Sequence, residues 1–169
     1  LPWACFVGCA ALLLMKQSSR KRIRPPTLAW YVSAHGYGYG SRTLDILSAL
    51  LRLRPDASVT LVTKLPVWFL RLRLKPGTVA VRRAAFDVGL VQPDVIRADV
   101  EATRERLASL YQRRSALQAA EMRWLQKAGV DAVVADIPAI PLEAAHRADI
   151  PTIAVGNFAW DWIYEPFAR

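Results

Sequence analysis

Five short apolar runs, separated by helical patterns, leave this chain few folds to choose from. Residues 28–34, 59–63, 78–81, 131–135 and 152–155 are strand-length runs dominated by aliphatic and aromatic residues. Ser41 is expected to cap a helix whose apolar positions Leu44, Leu47, Ala49, Leu50, Leu51 and Leu53 recur at helical spacing until Pro55 stops it. Pro66 opens a short helix at 67–70, which Lys75-Pro76-Gly77 ends. The longest helical pattern runs from about residue 99 to 128. Leu107, Leu110, Tyr111, Leu117, Ala120, Trp124 and Leu125 share one face of it. Arg104, Arg106, Arg113, Arg114 and Arg123 lie mostly on the other and read as a solvated face. A further helix is expected at 140–148. Strands that alternate with helices need a crossover each time, which makes the sheet parallel and places helices on both of its faces. The predicted fold class is α/β.

A length of 169 residues and 53% apolar content suit one domain with a real core. The net charge of +9 points at first to nucleic acid or an anionic surface, so its distribution matters. Lys16, Arg20, Lys21, Arg22 and Arg24 precede every acidic residue, leaving 18 basic against 14 acidic side chains in the rest. No basic stripe interleaved with aromatics runs through that remainder, which argues against a nucleic-acid partner. Cys5 and Cys9 lie inside an apolar run and read as small hydrophobes, so a reducing cytoplasm is the expected compartment.

Residues 1–24 form an apolar then basic leader ahead of a folded region at 25–169. The order of charge is wrong for a secretory signal, and the apolar run is short for a membrane span. Two readings stand. Met15 begins a native-looking start, with residues 1–14 upstream of it, or the leader is the remnant of a membrane anchor that holds the protein at the membrane periphery.

In a doubly wound sheet of order 3-2-1-4-5, the loops after strands 1 and 4 flank the point where the winding reverses, and ligands bind in that crevice. This rule gathers His35-Gly36-Tyr37-Gly38-Tyr39-Gly40-Ser41-Arg42 after strand 1, Asp136 after strand 4, and Gly156-Asn157 after strand 5. The alternate glycines read as a ligand loop that a backbone can follow closely. A dinucleotide fingerprint fails, because Ser41 stands where its third glycine belongs and strand 2 ends at Thr63-Lys64 without an acid. No Gly-Lys-Ser/Thr follows the glycines, and two His with two distant Cys offer no zinc spacing, so no metal or cofactor is expected. A His oriented by an Asp can take a proton from a hydroxyl nucleophile. The alternatives are that His35 satisfies backbone groups and that Asp136 caps the following helix.

The residues 35–42 resemble the His-Gly-Phe-Gly-His-Ala-Thr-Arg loop of glycosyltransferase-like proteins of the two-Rossmann-domain (GT-B) type, including the N-terminal domain of L-arabinokinase. Asp87-Val88-Gly89-Leu90-Val91-Gln92 matches a family Asp-x-Gly-x-x-Gln segment, and Val134-Ala135-Asp136 matches Val-Ser-Asp. Residues 157–164 match Asn-Phe-Ser-Trp-Asp-Phe-Ile-Tyr. The resemblance implies a Rossmann-like parallel sheet forming the N-terminal half of a GT-B fold, with a C-terminal, donor-binding Rossmann-like domain expected beyond Arg169. It implies transfer of a sugar, hexosyltransferase-like, from a nucleotide sugar to a hydroxyl acceptor, with this chain inactive alone. Carried over, the orienting acid falls on Asp136 and the base on Tyr39, a poor base at neutral pH. The catalytic candidates are therefore Asp136, His35 and Tyr39. Gly36, Gly38, Gly40, Ser41, Arg42, Asn157, Phe158, Trp160 and Asp161 are the candidate substrate contacts. The competing expectation is a non-catalytic sugar-binding or regulatory module linked to a sugar kinase.

Overall fold

The computed structural model describes residues 24–165 apart from Val95 and Ala159. The leader readings for residues 1–23 lie outside the described residues. Five parallel strands, β1 (Thr27–Val32), β2 (Ser58–Val62), β3 (Ala80–Arg82), β4 (Ala132–Asp136) and β5 (Thr152–Val155), form one sheet in the order β3-β2-β1-β4-β5. The helices are α1 (Tyr37–Leu53), α2 (Val67–Leu70), α3 (Val100–Lys127), α4 (Ile140–Arg147) and α5 (Trp160–Tyr164). No helix among the described residues is long and apolar enough to cross a membrane.

Alternation along the central strands splits the core in two. Ala29, Tyr31, Val133 and Ala135 face α3 and α4, where Leu125, Ala144 and Ala145 cover them. Trp30, Val32, Leu61 and Val134 face α1 and α2 and pack on Leu44, Leu47, Phe69 and Leu70. Leu44 and Leu47 are fully buried, each contributing about 1.5–3 kcal/mol of transfer free energy. Leu53, at the end of α1, is exposed and lies outside the core. Arg24, expected to belong with the leader, is tied to the fold, its guanidinium 2.6 Å from Asp131, which also accepts a hydrogen bond from the Thr27 amide.

The long helix departs from its predicted face. Tyr111 and Ala120 are exposed, whereas Gln118 and Glu121 are buried. The polar residues are tolerated inside because each is partnered. Glu121 accepts from Tyr31 Oη and Arg82 Nη2, while Gln118 Nε2 and Arg114 Nη2 both donate to Glu143 on α4. Arg82 also stacks over Trp124, 4.1 Å from its ring centroid. Burial and the adjacent Glu121 carboxylate push the Tyr31 phenol well above its ordinary range, so it remains a hydrogen-bond donor.

Register brings Val32, Asp136 and Val155 to one level at the carboxyl edge of the sheet. That is where the loop of each strand turns back into a helix.

Candidate active site

The glycine-rich segment is a helix start, not a loop. Gly36, at φ +100° and ψ 147°, occupies a region open essentially to glycine alone and swings the chain into α1. Tyr37, Gly38, Tyr39 and Gly40 form its first turn. Ser41 therefore lies inside the helix and caps nothing; the N-cap position belongs to Gly36, and no side chain caps that end. Tertiary packing overrides the weak helix propensity of glycine here. A Cβ on Gly40 would come 2.6 Å from Phe69 Cε1 and 2.7 Å from Leu65 Cδ1, so at position 40 the close approach of α1 to this segment requires a glycine. A Cβ on Gly38 would meet nothing within 4 Å. The two positions are thus expected to respond oppositely to alanine. Gly38→Ala should raise the unfolding free energy by about 0.5–1 kcal/mol, and Gly40→Ala should lower it by about 1–2 kcal/mol. Chemical denaturation of both variants checks this; shifts of the same sign would contradict the packing account.

Asp136 ends β4 with its side chain fully buried. It does not cap α4, whose N-cap is Ala139. Arg42 holds it in a fork, Nε donating to Oδ2 at 3.1 Å and Nη2 to Oδ1 at 2.5 Å, and Thr43 Oγ1 donates to Oδ2 at 3.0 Å. Arg42 is thus occupied by Asp136 and does not stand free as a substrate contact. It also lies 5.9 Å from the Tyr39 ring centroid. Burial raises the Tyr39 phenol above its ordinary value, with the Asp136 and Asp87 carboxylates adding to that and Arg42 opposing it. Tyr39 is therefore protonated at neutral pH and donates rather than accepts a proton. The next residue, Ile137, has φ +86°, a costly conformation for a β-branched side chain, and its Cδ1 packs against Gly156.

His35 pairs with a different acid from the expected one. Its Nε2 lies 3.8 Å from Oδ1 of Asp87, a carboxylate only 6% exposed, while His35 itself is 31% exposed. Trp160 Nε1 donates to the other Asp87 oxygen at 2.9 Å, and the Trp160 ring meets the His35 ring edge-on at 5.9 Å between centroids. Gly89, at φ +66°, supplies the space, since a Cβ there would overlap the His35 ring. Tyr164 stacks on Trp160 and donates to the Gly89 carbonyl at 3.2 Å; burial and the Asp87 charge push its phenol up to about 12. Asp87, Gly89 and Tyr164 are the components that residue-by-residue reading of the sequence left out of the site, although the segments that hold them, 87–92 and 157–164, were visible.

The aromatic tail completes the wall. Phe158 lies edge-on to both Tyr39 and Trp160. A cleft of about 620 Å³ opens between them, with His35, Gly36, Tyr39, Gln92, Arg106, Phe158 and Trp160 on its sides. Trp160 separates it from a more apolar cavity of about 300 Å³ beneath α3 and α4, bordered by Leu107, Leu110, Ile137 and Asp161. Asn157 is exposed and makes no side-chain hydrogen bond among the described residues, so it stays outside this constellation.

No protein-family model matches the chain. Among curated proteins, L-arabinokinase of Arabidopsis thaliana is 29% identical over 140 residues, which are 82% of this chain and 13% of that protein. The calicheamicin glycosyltransferase CalG4 superposes on 87% of the chain and 38% of its own with a TM-score of 0.54 and 22% identity. UGT2 of Phytolacca americana, solved with UDP-2-fluoro-glucose and pterostilbene, covers 80% of the chain and 31% of its own at a TM-score of 0.50 and 20% identity. The fold is that of a GT-B glycosyltransferase-like domain. In that domain the described cleft sits at the carboxyl edge of the parallel sheet, where ligands of open α/β sheets bind. The chain spans only a small part of the curated relative it matches and about a third of the enzymes it resembles in structure.

Proposed function

We propose that this chain is the N-terminal, acceptor-side domain of a glycosyltransferase that moves a sugar from a nucleotide sugar to a hydroxyl acceptor. The observation that carries the reading is the His35–Asp87–Trp160 arrangement at the mouth of the cleft. Asp87, itself fixed by an indole N–H, lies 3.8 Å from His35 Nε2, too far for a hydrogen bond but near enough to favour the imidazolium that forms when His35 takes a proton. His35 takes the acceptor hydroxyl proton as the oxygen attacks the anomeric carbon, and the bond from that carbon to the diphosphate oxygen breaks, releasing the nucleoside diphosphate. The faces of Phe158 and Trp160 offer apolar surface to the C–H side of a sugar ring, while Gln92 and Arg106 offer donors to hydroxyls. The donor is held mainly by a second domain in this reading, so the chain alone has half of the machinery. Joined to the sequence that naturally follows Arg169, it should release nucleoside diphosphate from at least one nucleotide sugar in a donor panel. A folded, extended protein that turns over none of them would exclude the transferase reading.

A second reading, a non-catalytic sugar-binding or regulatory module, is favoured by one observation: the family base position carries Tyr39, whose phenol burial keeps protonated. Under that reading Tyr39→His leaves ligand binding largely intact and creates no turnover; a gain of turnover would argue for an enzyme.

A further inference from the structure

We propose that the helical turn at residues 66–74 is a docking surface for an anionic lipid bilayer, which it enters through Trp68 and Leu72. Phe69, Leu70 and Leu74 turn inward and seat this segment on α1, whereas Trp68 and Leu72 point away from the core, 58% and 61% exposed, with Val67 about half exposed beside them. Large apolar side chains held outward on a turn that is itself firmly seated call for a partner with an apolar interior. Along the chain the charge in this interval is of one sign, and Asp45, an acid brought against it from α1, is neutralised by Arg73. No Asp or Glu occurs between Asp56 and Asp87, while Lys64, Arg71, Arg73, Lys75, Arg82 and Arg83 all fall in that interval. Arg82 is taken by Glu121, Arg73 by Asp45, and Arg83 by the carbonyls of Lys64 and Leu65. Lys64, Arg71 and Lys75 are exposed and have no ion-pair partner among the described residues.

Trp and Leu interleaved with unpaired Lys and Arg match the two layers of a bilayer surface, acyl chains beneath anionic headgroups. Nucleic acid would satisfy the cations and leave Leu72 and Val67 without a counterpart. This surface is built from residues 66–74 of the described domain. Tyr37, the first residue of α1, packs on Trp68 and Phe69 with centroids 5.7 and 4.8 Å apart, so docking here would bring the Gly36 end of the cleft close to the lipid.

The test is co-sedimentation of the whole chain with vesicles of phosphatidylcholine alone and of phosphatidylcholine with about one-third phosphatidylglycerol. The expected result is partition onto the anionic vesicles only, reduced at least about tenfold by Trp68→Ser with Leu72→Ser, and likewise by Lys64→Glu with Arg71→Glu and Lys75→Glu. The altered side chains are exposed, and circular dichroism confirms that the variants fold. Because residues 1–24 are unchanged in every variant, partition that survives both sets of substitutions assigns binding to the leader and overturns the proposal. Loss with the charge reversals alone reduces the contact to electrostatic adhesion and also overturns insertion. So does failure to bind anionic vesicles at all, or binding to RNA that displaces the vesicles and depends on the same three cations.

Discussion

In the transferase proposed above, His35→Ala should lower the sugar-transfer rate by about 10²–10⁴-fold, the range that a positioned general base supplies. The cleft explains why the loss falls on His35 rather than on Tyr39. Tyr39 lies where the wider family keeps its base, yet its phenol is raised by burial and by two carboxylates, so removing its oxygen takes away a donor and not a base. Tyr39→Phe should therefore cost less than about tenfold. Asp87→Asn retains an acceptor for Trp160 Nε1 but removes the charge facing His35 Nε2, and should fall between the two. Gly89→Ala supplies an independent check, since its Cβ would displace the imidazole without altering any titrating group. It should lower kcat much as His35→Ala does while leaving the KM for the donor nearly unchanged. Steady-state kinetics of the four variants decides the matter. Full activity in His35→Ala with inactivity in Tyr39→Phe would place the proton transfer at the family position after all.

The strands were legible because short apolar runs between turn residues leave little choice, and their order is the one a doubly wound sheet takes. The start of α1 was not. Gly-x-Gly-x-Gly has the local character of a loop, and only the approach of Phe69 and Leu65 to Gly40 shows why a helix begins there. Asp136 was found at the end of its strand, but its partner was assigned by proximity of loops rather than by reach. Arg42, one helical turn into α1, reaches that buried carboxylate directly, while His35 is turned toward the β3–α3 connection. Asp87 lies in that connection without periodicity, 52 positions from His35, and spacing carries no signal for such a pair. Totals of charge are equally blind to position: 18 basic against 14 acidic side chains beyond Arg24 do not reveal that no acid lies between Asp56 and Asp87.

Arg42→Leu should cost about 2–3 kcal/mol of folding stability, lowering Tm by roughly 5–10 °C. Asp136 has no exposed surface, so losing the guanidinium leaves a carboxylate inside the protein with Thr43 Oγ1 as its remaining side-chain donor. The reverse substitution is expected to be milder. In Asp136→Asn the charge left behind is on Arg42, whose side chain is one-third exposed and can turn to water, so the cost should be about 1 kcal/mol. Combining the two substitutions removes both charges together, and the double variant should be more stable than the sum of the single costs implies, by about 1–2 kcal/mol. This cycle, measured by denaturant unfolding, bears on function as well as on stability. A carboxylate whose removal is cheap and uncoupled to Arg42 would be free to orient a base, as the family resemblance implies. Strong coupling means that Asp136 anchors α1 against β4, which fixes Gly36 and Tyr39 at the cleft and leaves Asp87 as the acid that faces His35.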